Sequence, residues 1–208
     1  MVWHDMKFLW QNRERPRNLK RWLVVWAKRF LQGGLLLRIF WRKWHLTRKG
    51  AMVGRMSILA QTSILGPLTH LKVGEHCSLG QCFISVRAPV TVGNYVVIND
   101  AVSILSGSHH LHDRLWRAKS SPILIKDFAW VARGAIILPG VTVGVGAVVG
   151  AGAVVRENVP DYGIATGNPA ILSTSERTRD LAYSPVLFNA AYEAWLGNQY
   201  LEGLQGGL

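Results

Sequence analysis

Three histidines and an aspartate, His109, His110, His112 and Asp113, crowd five positions directly after Ser106-Gly107-Ser108. Imidazole has a reference pKa of ~6.5, so a histidine held at a surface edge can take a proton from an attacking hydroxyl at neutral pH. A metal site is a weaker reading. Spacings of one and two gather ligands poorly from a folded face, and no carboxylate cluster accompanies them. The plain alternative is a polar loop with solvated side chains. The two cysteines, Cys77 and Cys82, are too few for a disulfide framework and are compatible with a reducing compartment.

A six-residue repeat is what would position such a cluster. From Val53 an aliphatic residue recurs, often followed by glycine, with a small residue at the fifth place. Val73-Gly74-Glu75-His76-Cys77-Ser78 and Val143-Gly144-Val145-Gly146-Ala147-Val148 are clear units. Units start at 53, 59, 65, 73, 79, 92, 98, 104, 125, 131, 137, 143, 149 and 155, and only Phe83 puts a large residue at the fifth place. A helix would show a period of ~3.6 and a half-buried strand one of about 2. Six suits a short strand plus a sharp turn, three of which close a triangular coil. The aliphatic residue then points inward onto its counterpart in the next coil. The small residue fits where the wall bends, and glycine relieves the corner.

The units group as five coils, 53–70, 73–91, 92–109, 125–142 and 143–160, which predicts an all-β solenoid roughly 24 Å long. One coil cannot bury its own interior, so coils must stack. Residues 110–124 interrupt the repeat, and a loop inserted into a regular solenoid is a usual place for function. His109 ends the coil from which that loop departs. Residues 18–46 predict helix, with Leu19, Trp22, Leu23, Trp26 and Phe30 on one face and a break into two helices at Gly33-Gly34. Beyond Pro169, residues 186–196 predict a short helix and 197–208 a fraying end.

Of the 24 Lys and Arg, 13 lie in residues 1–50 against only Asp5 and Glu14, together with six of the nine tryptophans. The chain therefore divides into a basic, Trp-rich helical segment 1–50, a repeat domain 51–170 and a tail 171–208. Such an excess of positive charge points to an anionic partner. The first segment has three readings. It docks on anionic lipid, with Lys and Arg on headgroups and Trp at the interface; it caps the open end of the solenoid; or it binds nucleic acid, for which no recognised motif is present. Lys28, Arg29 and Arg38 interrupt the best apolar run, so none reaches the ~18 residues of a membrane span. The first 17 residues lack the layout of a secretory signal. The expected location is cytoplasmic, with peripheral contact at the inner face of the cell membrane.

The repeat over residues 53–170 resembles the hexapeptide-repeat acyltransferases, which fold as left-handed parallel β-helices. It is most similar to sugar O-acetyltransferases of the maltose, galactoside and colanic-acid type. Ser106-Gly107-Ser108-His109 resembles their Thr-Gly-Ser-His signature. Trp130-Val131, Pro139-Gly140-Val141-Thr142-Val143-Gly144 and Gly150-Ala151-Gly152-Ala153-Val154-Val155 resemble their C-terminal coils. Val159-Pro160 and Gly167-Asn168-Pro169-Ala170 resemble their exit sequence.

The resemblance implies a left-handed parallel β-helix of about five coils, with N-terminal helices and a short C-terminal helical tail. It implies His109 as the catalytic base, with His110, His112 or Asp113 orienting it or touching the acceptor. Acetyl-CoA is the implied co-substrate, with no permanently bound cofactor and no metal. In this family coenzyme A lies along the C-terminal coils between subunits of a homotrimer. The matching positions are Arg133 and Arg156, which would meet its phosphates, and Gly134, Gly150 and Ala151, which would admit close backbone approach. Asn99 and Asp100 lie near the site, where they hold the acceptor or form a corner turn. Arg87 stands where galactoside-type relatives place an acceptor-binding carboxylate. Arg133 and Leu138 stand where a carbonic-anhydrase-like branch has two further histidines, which argues against a zinc hydratase.

The implied function is acetyl transfer from acetyl-CoA to a sugar hydroxyl in exopolysaccharide or glycolipid assembly, by direct attack in a ternary complex. A different class of function is a non-catalytic trimeric binding or scaffold protein of the same fold. Among enzymes, serine and antibiotic acetylation are the alternatives. The helical region 1–50 is short for the first, and the loop 110–124 is short for the second.

Overall fold

A computed structural model describes residues 2–59 and 61–197. Short strands stack into three parallel sheets, which form the faces of a triangular solenoid. The first face runs through Met52–Val53, Leu71–Val73, Val90–Val92, Ile123–Ile125 and Thr142–Val143. The second runs through Ser78–Leu79, Val97–Ile98, Trp130–Val131, Val148–Val149 and Gly163–Thr166. The third runs through Ser63–Leu65, Phe83–Ser85, Ser103–Leu105, Ile136–Ile137 and Val154–Val155.

Unit starts pair with unit starts from coil to coil. Val53, Val73, Val92, Ile125 and Val143 form one inward ladder. Leu79, Ile98, Val131, Val149 and Ala165 form the second. Ile84, Ile104, Ile137 and Val155 form the third. With the small fifth-place residues Cys77, Ala129 and Ala135 they make one continuous core. Branched aliphatic side chains suit such pleated, fully buried walls.

The observed frame departs from the expected one in three ways. The solenoid has about six turns rather than five, because Val159 bridges Val143 and Ala165 pairs with Val149, continuing the repeat past residue 160. Ile64, rather than Leu65, packs against the core, and Leu65 is exposed. The unit after Leu79 is one residue short: Ile84 is the next inward residue and Cys82 fills the small position. The misfit at Phe83 therefore marks a step in register.

The glycines also act differently from the expectation. The left-handed backbone of the first bend falls at the fourth place, at Met56 (φ 59°), His76 (54°), Tyr95 (57°), Phe128 (58°), Gly146 (62°) and Tyr162 (61°). Second-place glycine answers a packing demand instead. A Cβ on Gly93 would lie 2.2 Å from Oδ1 of Asp127, in the next coil. That same Oδ1 accepts a hydrogen bond from the Asn94 N–H at 2.8 Å, and Asn94 Oδ1 accepts from the Glu75 N–H at 2.9 Å. Corner carboxyl and amide groups thus stitch one coil to the next, and a methyl group would displace them.

Helices α1 (Val2–Gln11), α2 (Leu19–Arg48) and α3 (Ala190–Leu196) pack together against Met56 and Ile58 of the first coil. Asn18 caps α2 by accepting from the Arg21 N–H at 2.7 Å. This helix is unbroken through Gly33-Gly34, contrary to the expected division. Each glycine costs a helix about 1 kcal/mol, and the packing of Leu36, Ile39 and Phe40 holds it together. The apolar residues expected on one face, Leu19, Trp22, Leu23, Trp26 and Phe30, all face outward. The buried face instead carries Val25, Arg29, Leu36, Ile39, Phe40, Lys43 and Leu46. Its two cations disguise it in the sequence.

Those cations are bonded. Lys43 Nζ donates to the Asp5 carboxylate and to the Gly54 carbonyl, while Asp5 Oδ1 accepts from the Met56 N–H at 3.1 Å. One ion pair therefore ties α1, α2 and the first coil. Burial lowers the Lys43 pKa, and the Asp5 carboxylate opposes that shift. Arg29 donates to the carbonyls of Glu14, Ala194 and Trp195.

The tail connects both ends. Ile171–Glu176 runs antiparallel to Gly163–Thr166, and the chain then returns past the stacked rings of His76, Tyr95 and Phe128, against which Tyr183 packs. Arg177 and the Tyr183 hydroxyl donate to the Phe128 carbonyl at 2.9 and 3.1 Å, and Ser184 Oγ is hydrogen-bonded to His76 Nδ1 at 2.9 Å. A 3-10 turn at Pro185–Phe188 leads into α3. The fraying expected over 197–208 falls, beyond Gly197, outside the described residues. Among the described residues no helix is long and apolar enough to cross a membrane.

Candidate active site

The insertion after the third coil is a β-hairpin whose stem begins at Gly107, three residues before the expected loop. Gly107–His109 pairs antiparallel with Ala118–Ser120, and Ala118 stands opposite His109. Buried Ser106 anchors the base. Its hydroxyl donates to the Ser85 carbonyl at 2.7 Å and accepts from the Ala88 N–H at 3.0 Å, and its carbonyl accepts from the Ser121 N–H at 3.0 Å. At the tip the Asp113 carboxylate accepts from the N–H groups of Leu115 and Arg117 at 3.0 and 3.1 Å and from the Arg117 guanidinium. The Arg117 hydrogen bond, with the Leu115 N–H, holds that carboxyl below its ordinary pKa.

His109 is half-buried. Its ring stacks on Trp116, with centroids 3.6 Å and planes 4° apart. Its Nδ1 lies 2.8 Å from the Trp116 carbonyl oxygen. A carbonyl only accepts, so the hydrogen bond assigns the proton to Nδ1 and leaves the lone pair on Nε2. An imidazole held in this tautomer is a base that works through Nε2.

A cleft of about 990 Å³ lies between the hairpin and the edge of the last coils, lined by Ser108, His109, His112, Leu138, Pro139 and Arg156 among others. His110, Asp113, Arg114, Arg117 and Lys119 also face it. Its acid, Asp113, is engaged by Arg117, so the lining is net positive.

The structure divides the expected site residues into two groups. His109, His110, His112, Asp113 and Arg156 meet at the cleft. Asn99, Asp100, Arg133, Gly134, Gly150 and Ala151 sit at the other edge of the third face. There Asp100 Oδ1 accepts from the Gln81 N–H at 2.8 Å, and the Arg133 guanidinium is 3.9 Å from the Asp100 carboxylate. Gly134 makes the turn with φ 72°, and a Cβ on Gly150 would lie 2.8 Å from the Thr166 methyl. Wall packing accounts for Gly150, while the position of Gly134 is taken by Ala101 in the preceding coil, at φ 59°. The group that contacts His109 is Trp116, which the sequence reading did not single out. A lone tryptophan in a polar loop was the available signal, but the hairpin register that brings it back beside His109 is not part of the repeat. Both thiols are free and buried, and burial pushes each to about 11. Among the described residues no group of three or more His, Cys, Asp or Glu is placed to hold a metal ion.

No family model matches the chain. It is 33% identical over 146 residues to the galactoside O-acetyltransferase of Escherichia coli K12, covering 65% of this chain and 72% of that protein. It is 28% identical over 133 residues to WcaF of the same organism, named for colanic acid biosynthesis, covering 64% and 73%. The fold matches a hexapeptide-repeat acetyltransferase of Vibrio cholerae, solved with acetyl coenzyme A, with a TM-score of 0.61 at 22% identity over 84% of this chain and 99% of that one. The six-residue ladder, the hairpin that leaves it and these relatives agree: the chain belongs to the hexapeptide-repeat acetyltransferase family.

Proposed function

We propose that the protein moves an acetyl group from acetyl-CoA to a sugar hydroxyl, with His109 as general base. The observation that carries this reading is the Nδ1 hydrogen bond to the Trp116 carbonyl, which frees Nε2 at a basic cleft. In the step, Nε2 takes the hydroxyl proton as the oxygen attacks the thioester carbon. The tetrahedral intermediate collapses with cleavage of the carbon–sulfur bond, and the leaving thiolate recovers the proton from the imidazolium. Direct attack is favoured because Cys77 and Cys82, the strongest potential nucleophiles, are buried in the wall. Arg156 and Lys119 supply positive charge for the phosphates of the donor.

The division of candidate residues over two edges supports a site shared between subunits. A neighbouring copy that brings its Asp100–Arg133 edge to the cleft would complete it, which is the homotrimer reading. Names of relatives favour a saccharide acceptor, and the reading extends to a unit of a polysaccharide or glycolipid. The cytoplasm is the proposed location, a compartment that two free thiols suit.

The test is release of free thiol from acetyl-CoA with a panel of mono- and oligosaccharides, beside serine and an aminoglycoside. Sugar-dependent release supports the proposal. Release only with serine or the aminoglycoside moves the protein to those classes. Absence of coenzyme A binding by calorimetry favours a scaffold of the same fold.

A further inference from the structure

A second face of α2 is apolar and exposed, its ring contacts made mainly along its own helix, as between Trp22 and Trp26 and between Trp41 and His45. Leu19, Trp22, Trp26, Phe30, Leu37, Trp41 and Trp44 recur at steps of three to seven residues, which keeps them on one side of a helix. They stand about a quarter-turn from the buried face, along roughly 38 Å of helix. Phe30 is 86% exposed, Leu37 70% and Trp41 60%. The same surface continues onto α1, where Trp3, Met6 and Trp10 also face outward. Between the helices run two adjoining apolar grooves of about 550 and 710 Å³, which share Met6, Leu36, Phe40 and Trp195. An apolar surface of this extent marks an interaction site.

Charge selects the occupant. Residues 1–50 carry 13 Lys and Arg, of which all but the buried Arg29 and Lys43 reach the surface, and their two acids are both engaged: Asp5 is buried against Lys43, and Glu14 bonds Arg21 at 2.7 Å. A second copy of the chain would press one cationic surface against another. An anionic bilayer offers the complementary arrangement, with headgroups for the cations, an interface for the indoles and acyl chains for the grooves. We propose that this face docks the enzyme on an anionic phospholipid bilayer, with α2 lying in the plane of the interface.

The test is sedimentation of the full chain with vesicles of phosphatidylcholine, with and without phosphatidylglycerol, at low and high salt. The expected result is binding only to the anionic vesicles, weakened by salt, with a blue shift of tryptophan emission. The variant Leu37→Ser/Trp41→Ser replaces exposed residues outside the cleft. It should keep the wild-type circular dichroism spectrum and thermal midpoint, while its partitioning falls about tenfold or more. A second variant, Arg38→Glu, should weaken binding without removing apolar surface. No binding to anionic vesicles at low salt would overturn the proposal, as would equal binding by the folded double variant. Sedimentation velocity that shows the wild type self-associating through this face, and the double variant not, would assign the surface to a second copy.

Discussion

His109 lies flat on the indole of Trp116, and the peptide carbonyl of that same tryptophan holds its Nδ1 hydrogen. One residue therefore fixes both the plane and the tautomer of the ring, by two separable contacts. Trp116→Ala removes the stacking and keeps the carbonyl. We expect it to lower kcat about 10- to 100-fold through misplacement of the base, with the circular dichroism spectrum unchanged. Kinetics equal to wild type would show that the indole does not hold the ring.

Asp113 positions the hairpin that carries this contact. Asp113→Ala leaves the Leu115 and Arg117 N–H groups without their acceptor at the tip. Its kcat should fall about tenfold, and Asp113→Asn should recover part of the loss, since an amide oxygen still accepts. A structural role elsewhere would not produce that rescue at constant thermal midpoint.

The Lys43–Asp5 pair makes a stability prediction. Lys43→Met leaves a buried carboxylate unpaired, which should cost about 3–5 kcal/mol. Asp5→Asn should be destabilising as well, and the double variant should lose less than the two singles together. Additive losses in urea unfolding would mean that the two groups are not coupled.

His76 makes the fold pH-sensitive. Burial between Phe8, Tyr95 and Ser184 lowers its pKa from 6.5; Glu75 and Asp5 oppose the shift, while Arg55 and Lys43 add to it. Between the folded and unfolded values only the unfolded chain binds the proton. The contribution is therefore complete above ~6.5 and is lost as the pH falls through the folded value. Thermal midpoints taken from about pH 8 down to about pH 5 should fall for the wild type. His76→Asn, which tolerates the left-handed backbone, should flatten that part of the profile.

Two glycines should respond in opposite directions. A Cβ on Gly34 would meet nothing within 4 Å, and the residue sits inside a helix, so Gly34→Ala should stabilise by about 1 kcal/mol. Gly93→Ala drives a methyl into Asp127 and should cost about 1–3 kcal/mol. Denaturant midpoints of the two variants read both signs.

The solenoid was legible because each unit repeats one demand, an aliphatic residue stacked on its equivalent, and fourteen repeats make that demand visible. The exceptions had local causes. Phe83 marks a unit shortened by one residue, and Leu65 yields its inward place to Ile64. The buried face of the helical segment was hidden for a different reason. The strongest apolar stripe of α2 is the outward one, while the inward stripe contains Arg29 and Lys43, whose partners Asp5 and the α3 carbonyls are remote in sequence. The position of His109 was legible to within a few residues: the repeat stops there, although the structure places it in the hairpin stem rather than at the end of a coil. Its contact with Trp116 was not, since a hairpin register leaves no periodic trace.

Acetyl transfer through His109 is the central claim, and thiol release from acetyl-CoA by the wild type and His109→Ala measures it most directly. With a sugar acceptor that supports wild-type turnover, the account predicts a loss of at least ~100-fold in kcat, with donor binding retained. Turnover by His109→Ala at the wild-type rate would contradict it.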